Sequence, residues 1–383
     1  MKIVMVLNTS WNIYNFRMNL IKSLLALGHE VHTVAPNDSF THHLISAGCI
    51  HHDLKMDSRG ANPIKDIALI FELGSIYRKI KPDTILHFTI KPNVYGTLAA
   101  AILKIPVINN VCGLGTVFLK AGIVSTIAKF LYRISFRYAT KVFFQNQDDV
   151  TLFLENKLIK PEVCELVPGS GIELAAFNPV SSKPNSVFTF LLISRVIYDK
   201  GIVEYIEAIQ LLKAKGVRAR FQLLGATDPK HSRGIPLQLI NSWINQGLIE
   251  YLGKTGDVKP YINAADCVVL PSYREGSPRS LMEAAALAKP IVTTNVPGCN
   301  QVVTDRYNGL LCRVKSATDL AAKMLQMINL PEKTRQEMGE RGRKKMELEF
   351  NEQVVIHKYH RAIQSILENK KSNAQFELSA TTY

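Results

Sequence analysis

Short apolar runs of strand length alternate with segments of helical period along this chain, and the alternation is gone through twice. In the first half KIVMVL reads as a buried strand. Residues from about Asn15 to Leu27 then place Phe16, Leu20, Leu24 and Leu27 at helical spacing, and Gly28 stops the helix. EVHTVAP, DTILHF and PVINNV follow as strands, with the small-residue helix GTLAAAIL between the last two. Strands joined in this way run parallel, and parallel sheets are covered by helices on both faces. Between Val167 and Asn185 the run PGSGIELAAFNPVSSKPNS breaks the pattern with prolines, glycines and serines. The second half restarts it with FTFLLI, a helix from Gly201, RFQLLG, IEYLG, DCVVLPS, a helix from Pro278 and PIVTTN.

The expected fold is therefore α/β, with two Rossmann-like domains facing each other across a cleft. The domains are expected at residues 1–180 and 181–350. A basic amphipathic helix over 351–368 is expected to pack back on the first domain, and residues 369–383 form a tail. In sheets of this kind ligands bind at the carboxyl ends of the strands, so the loops there are where chemistry is sought.

Composition removes several function classes. A hydrophobic content of 47% with 20% charged residues suits a folded chain rather than a disordered one. No apolar run reaches the ~18 residues of a membrane span, and Met1 leads straight into a strand rather than a signal peptide. Six well-separated cysteines with no CxxC pair argue against a zinc site or a disulfide scaffold and suit a reducing cytoplasm. The pairs His42–His43 and His51–His52 lack further ligands at metal spacing, so no metal is expected. The net charge is +14, and between Glu72 and Asp148 the only acid is Asp83. Such a field attracts phosphates, whether of nucleic acid, anionic lipid or a diphosphate.

Two constellations carry chemistry. In FTFLLISRVIYDKGIVEY a strand ends at Ser194–Arg195, and Lys200–Gly201 opens a helix. Both cations emerge beside a helix N-terminus that itself favours anions, an arrangement suited to a diphosphate. In DCVVLPSYREGSPRSLMEAAALAKPIVTTNVPG, Glu275–Gly276 forms a loop. Ser277 reads as an N-cap, Pro278 as the first helical residue, and Glu283 sits in the second turn. Carboxylates beside a diphosphate suit accepting hydrogen bonds from sugar hydroxyls, and Gly276 lets backbone N–H groups approach closely. Read singly, each motif also fits solvated surface charges.

SR-x4-KG followed by E-x7-E, with VPG at Val296–Gly298 and NGL at Asn308–Leu310, resembles the family-four retaining glycosyltransferases with the B-type two-domain fold. The resemblance spans nearly the whole chain. It implies that Arg195 and Lys200 bind the donor diphosphate, that Glu275 contacts the transferred sugar, and that Glu283 contacts the nucleotide ribose. Gly276 and Ser277 lend backbone donors, and Ser194 and Gly225 line the donor site. NTSWNIYNFRMNLIKSL, FTIKPNVYGTLAA and INNVCGLGTVF resemble bacterial transferases of polysaccharide and O-antigen assembly, including those that add N-acetylgalactosamine to undecaprenyl-diphospho-bacillosamine. Such enzymes extend polyprenyl-diphosphate-linked sugars, typically from UDP-N-acetylhexosamines. The resemblance makes residues 1–180 the acceptor- and membrane-facing domain and 181–350 the nucleotide-sugar domain. Arg17, at the start of the first helix, is implied in binding the acceptor, as are His87 and Lys91. Many relatives carry a Gly-Gly loop where this chain has NTSWNIYN.

On this reading Arg195 and Lys200 take the place of a metal ion, and no side chain need act as nucleophile. Lys129, Arg133, Arg137 and Lys141 recur every four residues among Phe130, Leu131, Ile134 and Phe136. They are expected to form a basic amphipathic helix on the anionic inner face of the plasma membrane, making the protein cytoplasmic and peripheral. Nucleic acid is disfavoured because no recognition motif accompanies the charge. Gly113-Leu114-Gly115 lacks the third glycine and the following acid of a dinucleotide fingerprint. The alternative that remains is a nucleotide-sugar epimerase of the same fold.

Overall fold

A computed structural model describes residues 1–57, 62–114, 122–180, 186–228 and 231–380, the side chains of 371 and 373–380 excepted. The chain divides into two compact units, Met1–Ser170 with Gln353–Tyr383, and Gly171–Glu352.

The first unit carries strands β1 (Lys2–Val6), β2 (Glu30–Ala35), β3 (Ile50–Asp53), β4 (Thr84–Phe88), β5 (Val107–Val111), β6 (Lys141–Phe144) and β7 (Cys164–Leu166). They form a parallel sheet in the order β3-β2-β1-β4-β5-β6-β7. Alternate residues serve opposite faces. Val4 and Val6 join one core with Ile85, Val107 and Phe144, whereas Ile3 and Met5 join another with Leu86, Ile108 and Phe143. The strands are apolar on both sides because helices cover both.

The second unit carries β8 (Thr189–Ile193), β9 (Arg220–Leu224), β10 (Glu250–Tyr251), β11 (Cys267–Leu270), β12 (Ile291–Thr294) and β13 (Gly309–Cys312), parallel in the order β10-β9-β8-β11-β12-β13. Strand order reverses at β1/β4 in one sheet and at β8/β11 in the other. Those switch points open a crevice at the carboxyl end of each sheet.

Two boundaries differ from expectation. Residues 171–180 belong to the second unit: Ile172 is fully buried there, donates to Phe350 O at 2.8 Å and accepts from Glu352 N at 3.2 Å. The C-terminal helix does not stop at 368 but runs from Glu352 to Ala380. The segment expected as a tail has neither proline nor glycine and is rich in good helix formers. Val355, Ile356, Tyr359, Ile363 and Ile366 of this helix pack into the first unit's core. The Tyr359 hydroxyl accepts from Asn110 Nδ2 at 2.7 Å. No helix among the described residues is long and apolar enough to cross a membrane.

Candidate active site

At the β8/β11 switch point, the loop after β8 and the loop after β11 are pressed together. Gly201 opens the helix Ile202–Ala214 with φ +70, and a Cβ there would lie 2.0 Å from the carbonyl oxygen of Pro271. No other residue fits that approach. Tyr273 N donates to Asp199 O at 2.9 Å and Ser272 Oγ to the same oxygen at 3.2 Å, so each loop fixes the other.

This packing joins the two motifs. Lys200 Nζ donates to Glu275 Oε1, and the two side chains are only 18% and 12% exposed. Arg195 stands differently: it is exposed and, among the described residues, has no ion-pair partner. Its neighbour Ser194 donates from N to Leu224 O at 3.1 Å and from Oγ to Arg195 O at 3.1 Å. Gly225 closes over this turn, where a Cβ would come 1.7 Å from Ser194 O. Ser194, Arg195 and Gly225 thus line one edge of the switch point.

Gly276 and Glu275 pack under the VPG loop, where Glu275 N donates to Pro297 O at 3.1 Å. Ser277 does not cap the following helix. That helix runs Arg279–Ala286 with Pro278 at the N-cap and no side-chain cap, and the Ser277 hydroxyl turns to Met282 Sδ at 3.4 Å. With the helix starting one residue later than expected, its first N–H groups lack a side-chain acceptor from Ser277. Glu283 is not a solvated helix residue. Its side chain is 13% exposed, and burial raises its carboxyl pKa despite Arg279, whose Nε donates to Oε1 at 2.9 Å. Arg279 also donates from Nη1 to Gly171 O at 3.1 Å.

Several supporting residues escaped the reading of the motifs. Asp199 takes both Nε (3.1 Å) and Nη2 (2.9 Å) of Arg233, and Tyr273 OH donates to Glu204 Oε1 at 2.6 Å. Arg279–Glu283 was detectable as an i,i+4 pair. Asp199–Arg233 and Glu204–Tyr273 join residues 34 and 69 positions apart and leave no local signal.

In the first unit the expected acceptor residues separate. Arg17 is not at the start of its helix, which begins at Ser10 behind an N-cap from Thr9. It lies two turns in, on the buried stripe Ile13, Arg17, Leu20, Ile21 and Leu24. His87 is fully buried, with Tyr77 OH at 2.9 Å from Nε2 and Asn109 Oδ1 at 3.0 Å from Nδ1. Burial lowers its pKa to about 3. A side chain so enclosed offers no nitrogen to an acceptor, because its partners already occupy both. Lys91 is also committed: Nζ donates to buried Asp66 at 2.8 Å, which Tyr95 OH joins at 3.0 Å. Its charge is neutralised within the protein.

The basic amphipathic helix requires correction as well. The helix spans Ile123–Ser135, Arg137 follows on a 3-10 turn, and Lys141 lies on β6 paired with Glu165 at 3.4 Å. Lys129 Nζ donates to Asn156 Oδ1 and Arg133 Nη2 to Asn156 O, both at 2.9 Å. Apolar residues stand outward on this helix together with the exposed Arg133: Ile123, Val124, Ile127 and Phe130 are 79%, 64%, 52% and 59% exposed. Spacing of four kept the cations in phase only while the chain stayed helical. The upstream part of that segment, residues 115–121, lies outside the described residues, as does Gly115 of the GxG.

Comparison with known proteins identifies the family and the fold. Residues 176–345 match the family described as glycosyl transferases group 1, and residues 2–146 match glycosyl transferase 4-like. The N,N'-diacetylbacillosaminyl-diphospho-undecaprenol alpha-1,3-N-acetylgalactosaminyltransferase of Campylobacter jejuni is 29% identical over 96% of this chain and 100% of its own. An Escherichia coli UDP-Gal:alpha-D-GlcNAc-diphosphoundecaprenol alpha-1,3-galactosyltransferase is 23% identical over 66% of this chain and 68% of its own. Among solved structures, Anabaena HepE in complex with UDP and glucose superposes with a TM-score of 0.77 at 17% identity, covering 97% of this chain and 100% of that one. At that identity the likeness concerns the fold.

Proposed function

Given that this chain belongs to the group 1 glycosyltransferases with the B-type fold, we propose that it moves a sugar from a UDP-sugar onto an undecaprenyl-diphosphate-linked acceptor, with retention of configuration. The observation that carries the reading is the meeting of Lys200 and Glu275 at the β8/β11 switch point, with Arg195 exposed and unpaired beside it. A free guanidinium and an ammonium already facing a carboxylate are the groups a nucleoside diphosphate and its sugar call for. On binding, the donor diphosphate takes Arg195 and shares Lys200, while Glu275 accepts from a sugar hydroxyl. Glu283, held by Arg279, receives the ribose. The positive charge is supplied by side chains, so turnover is metal-independent on this reading.

The two relatives with lipid-linked acceptors in their names, one of them matched over its full length, support the acceptor class, and that one supports an N-acetylhexosamine as the transferred sugar. Arg17 is assigned to the acceptor diphosphate. The helix Ile123–Ser135 is assigned to the bilayer, with Ile123, Val124, Ile127 and Phe130 entering the acyl boundary and the positive field of the unit drawing it to anionic lipid. On this reading the protein works at the inner face of the plasma membrane.

The test is a panel of nucleotide sugars with and without a polyprenyl-diphosphate-linked sugar. Consumption of one UDP-N-acetylhexosamine only in the presence of lipid acceptor supports the reading. Interconversion of a nucleotide sugar without any acceptor would move it to an epimerase.

A further inference from the structure

Arg17 is 5% exposed, yet among the described residues its guanidinium meets no carboxylate. It stacks 4.3 Å above the Phe88 ring, Nη2 reaches Cys112 Sγ at 3.9 Å, and Nε has no hydrogen-bond partner. Arginine stays protonated in proteins, and a charge taken out of water without an anion is destabilising. Such a group is kept where something else supplies the anion.

Two more orphans lie at the same carboxyl end of the β1/β4 switch point. Thr89 Oγ1 and Asn93 Oδ1 are buried with no partner. Asn93 is fixed by its other atoms: Nδ2 donates to Asn110 O at 2.8 Å and N to Thr89 O at 3.1 Å. Its carbonyl oxygen is the end left over. Asn110 in turn links this corner to Arg17, because its Oδ1 accepts from Cys112 Sγ at 3.1 Å. Thr89 follows Phe88 directly and holds φ at +68, a left-handed conformation that strains a β-branched residue. The π-helical turn Pro92–Gly96 that carries Asn93 is itself a form concentrated at functional sites. Buried polar atoms without partners are rare; here three lie about the carboxyl end of β4, one of them on the strained Thr89 itself.

We propose that Arg17, Thr89 and Asn93 form the site that reads the acceptor. Arg17 Nε donates to a phosphoryl oxygen. Asn93 Oδ1, which can only accept, and Thr89 Oγ1, which can do either, take a hydroxyl or amide N–H of the sugar joined to that phosphate. An inorganic anion satisfies the guanidinium alone, whereas a diphosphate-linked sugar bearing a donor near the phosphate satisfies all three. This inference rests on the acceptor class proposed above and adds Thr89 and Asn93 as specificity-determining residues.

The experiment compares the wild-type protein with Thr89→Gly, Asn93→Ala and Arg17→Met. At saturating donor, Thr89→Gly and Asn93→Ala are expected to raise the KM for the lipid-linked acceptor about tenfold, the scale of one lost buried hydrogen bond. The donor KM is expected to stay within about twofold. Thr89→Gly relieves the left-handed strain and Arg17→Met removes an uncompensated charge, so neither is expected to lower the melting temperature. A merely structural role predicts the opposite pattern, with stability lost and acceptor KM unmoved. In a second arm, farnesyl-diphosphate-linked N-acetylglucosamine is expected to raise the wild-type melting temperature more than inorganic pyrophosphate does, and to lose that advantage in Thr89→Gly and Asn93→Ala. An active wild type whose acceptor KM is unchanged in both variants overturns the inference. So does equal stabilisation of all proteins by the lipid-linked sugar, or none. If no donor turns over but the second arm gives the expected pattern, the reading of the reaction fails while the site stands.

Discussion

Lys200 and Glu275, 75 positions apart in the chain, hold each other through a half-buried hydrogen-bonded ion pair where the loops after β8 and β11 meet. The pair has two consequences. It keeps an ammonium folded into the switch point in the absence of ligand. On the proposed reading it also sets Glu275 beside the place where the diphosphate and sugar join. Replacing Glu275 with Gln keeps the shape and removes the charge. The expected result is a kcat lower by about 10²-fold with the donor KM little changed, because what is lost is charge balance as the bond breaks rather than binding. Steady-state kinetics with the donor varied checks this. A raised donor KM with unchanged kcat would make Glu275 a binding residue only.

Arg279 restrains Glu283 from one turn earlier. Arg279→Ala removes the cation that offsets burial, so the carboxyl pKa of Glu283 is expected to rise further. The donor should then bind more weakly at neutral pH and recover little at acid pH, since a protonated carboxyl accepts ribose hydrogen bonds less well. A donor KM several-fold higher at pH 6 than at pH 8 in this variant, against a flat wild-type profile over the same span, is the outcome to look for.

His87 gives the fold an acid limit. Its native pKa lies near 3 against an ordinary value of 6.5. The unfolded chain therefore binds a proton first as pH falls. The stability from this residue is fully present above about pH 6.5 and is lost progressively between there and about pH 3, at roughly 1.4 kcal/mol per pH unit. Denaturant unfolding at pH 7 and pH 5 should differ by about 2 kcal/mol from this source, and His87→Gln should remove most of the difference. Equal pH dependence in the two proteins would mean that His87 is not held neutral.

The exposed apolar stripe makes a distinct prediction for membrane binding. Ile127→Ser with Phe130→Ser should reduce sedimentation with phosphatidylglycerol-containing vesicles at least tenfold. Arg137→Ala alone should change mainly the salt sensitivity. Melting temperature should be unaffected, since these side chains touch little of the core. Undiminished vesicle binding by the double variant would move the membrane contact elsewhere.

How much of this was readable beforehand follows from where each signal sits. The placement of Arg195, Lys200 and Glu275 at the carboxyl ends of strands was legible because they follow strand-length apolar runs, and in a parallel sheet those ends converge whatever the tertiary detail. The partners Arg279 of Glu283 and Asp66 of Lys91 were passed over because a motif names the groups that face a ligand, not those that hold them. Arg17 was misjudged by the start of its helix: taken from Asn15 it lies at an exposed end, taken from Ser10 it falls on the buried stripe with Ile13 and Leu20. The four cations from Lys129 to Lys141 were legible as a period and misleading as a helix, since the chain leaves helical geometry after Ser135. The residues this helix buries are Ser125, Tyr132 and Ser135, which no hydrophobic period marks.

The most direct test is the turnover number of Arg195→Ala at saturating donor and acceptor. Arg195 is exposed and anchors nothing in the fold, so the variant should melt as the wild type does. The account predicts a kcat lower by about 10²–10³-fold, the cost of removing one group that stabilises the departing charge. A fully folded Arg195→Ala protein with unchanged kcat would contradict it and take the donor diphosphate away from the β8/β11 switch point.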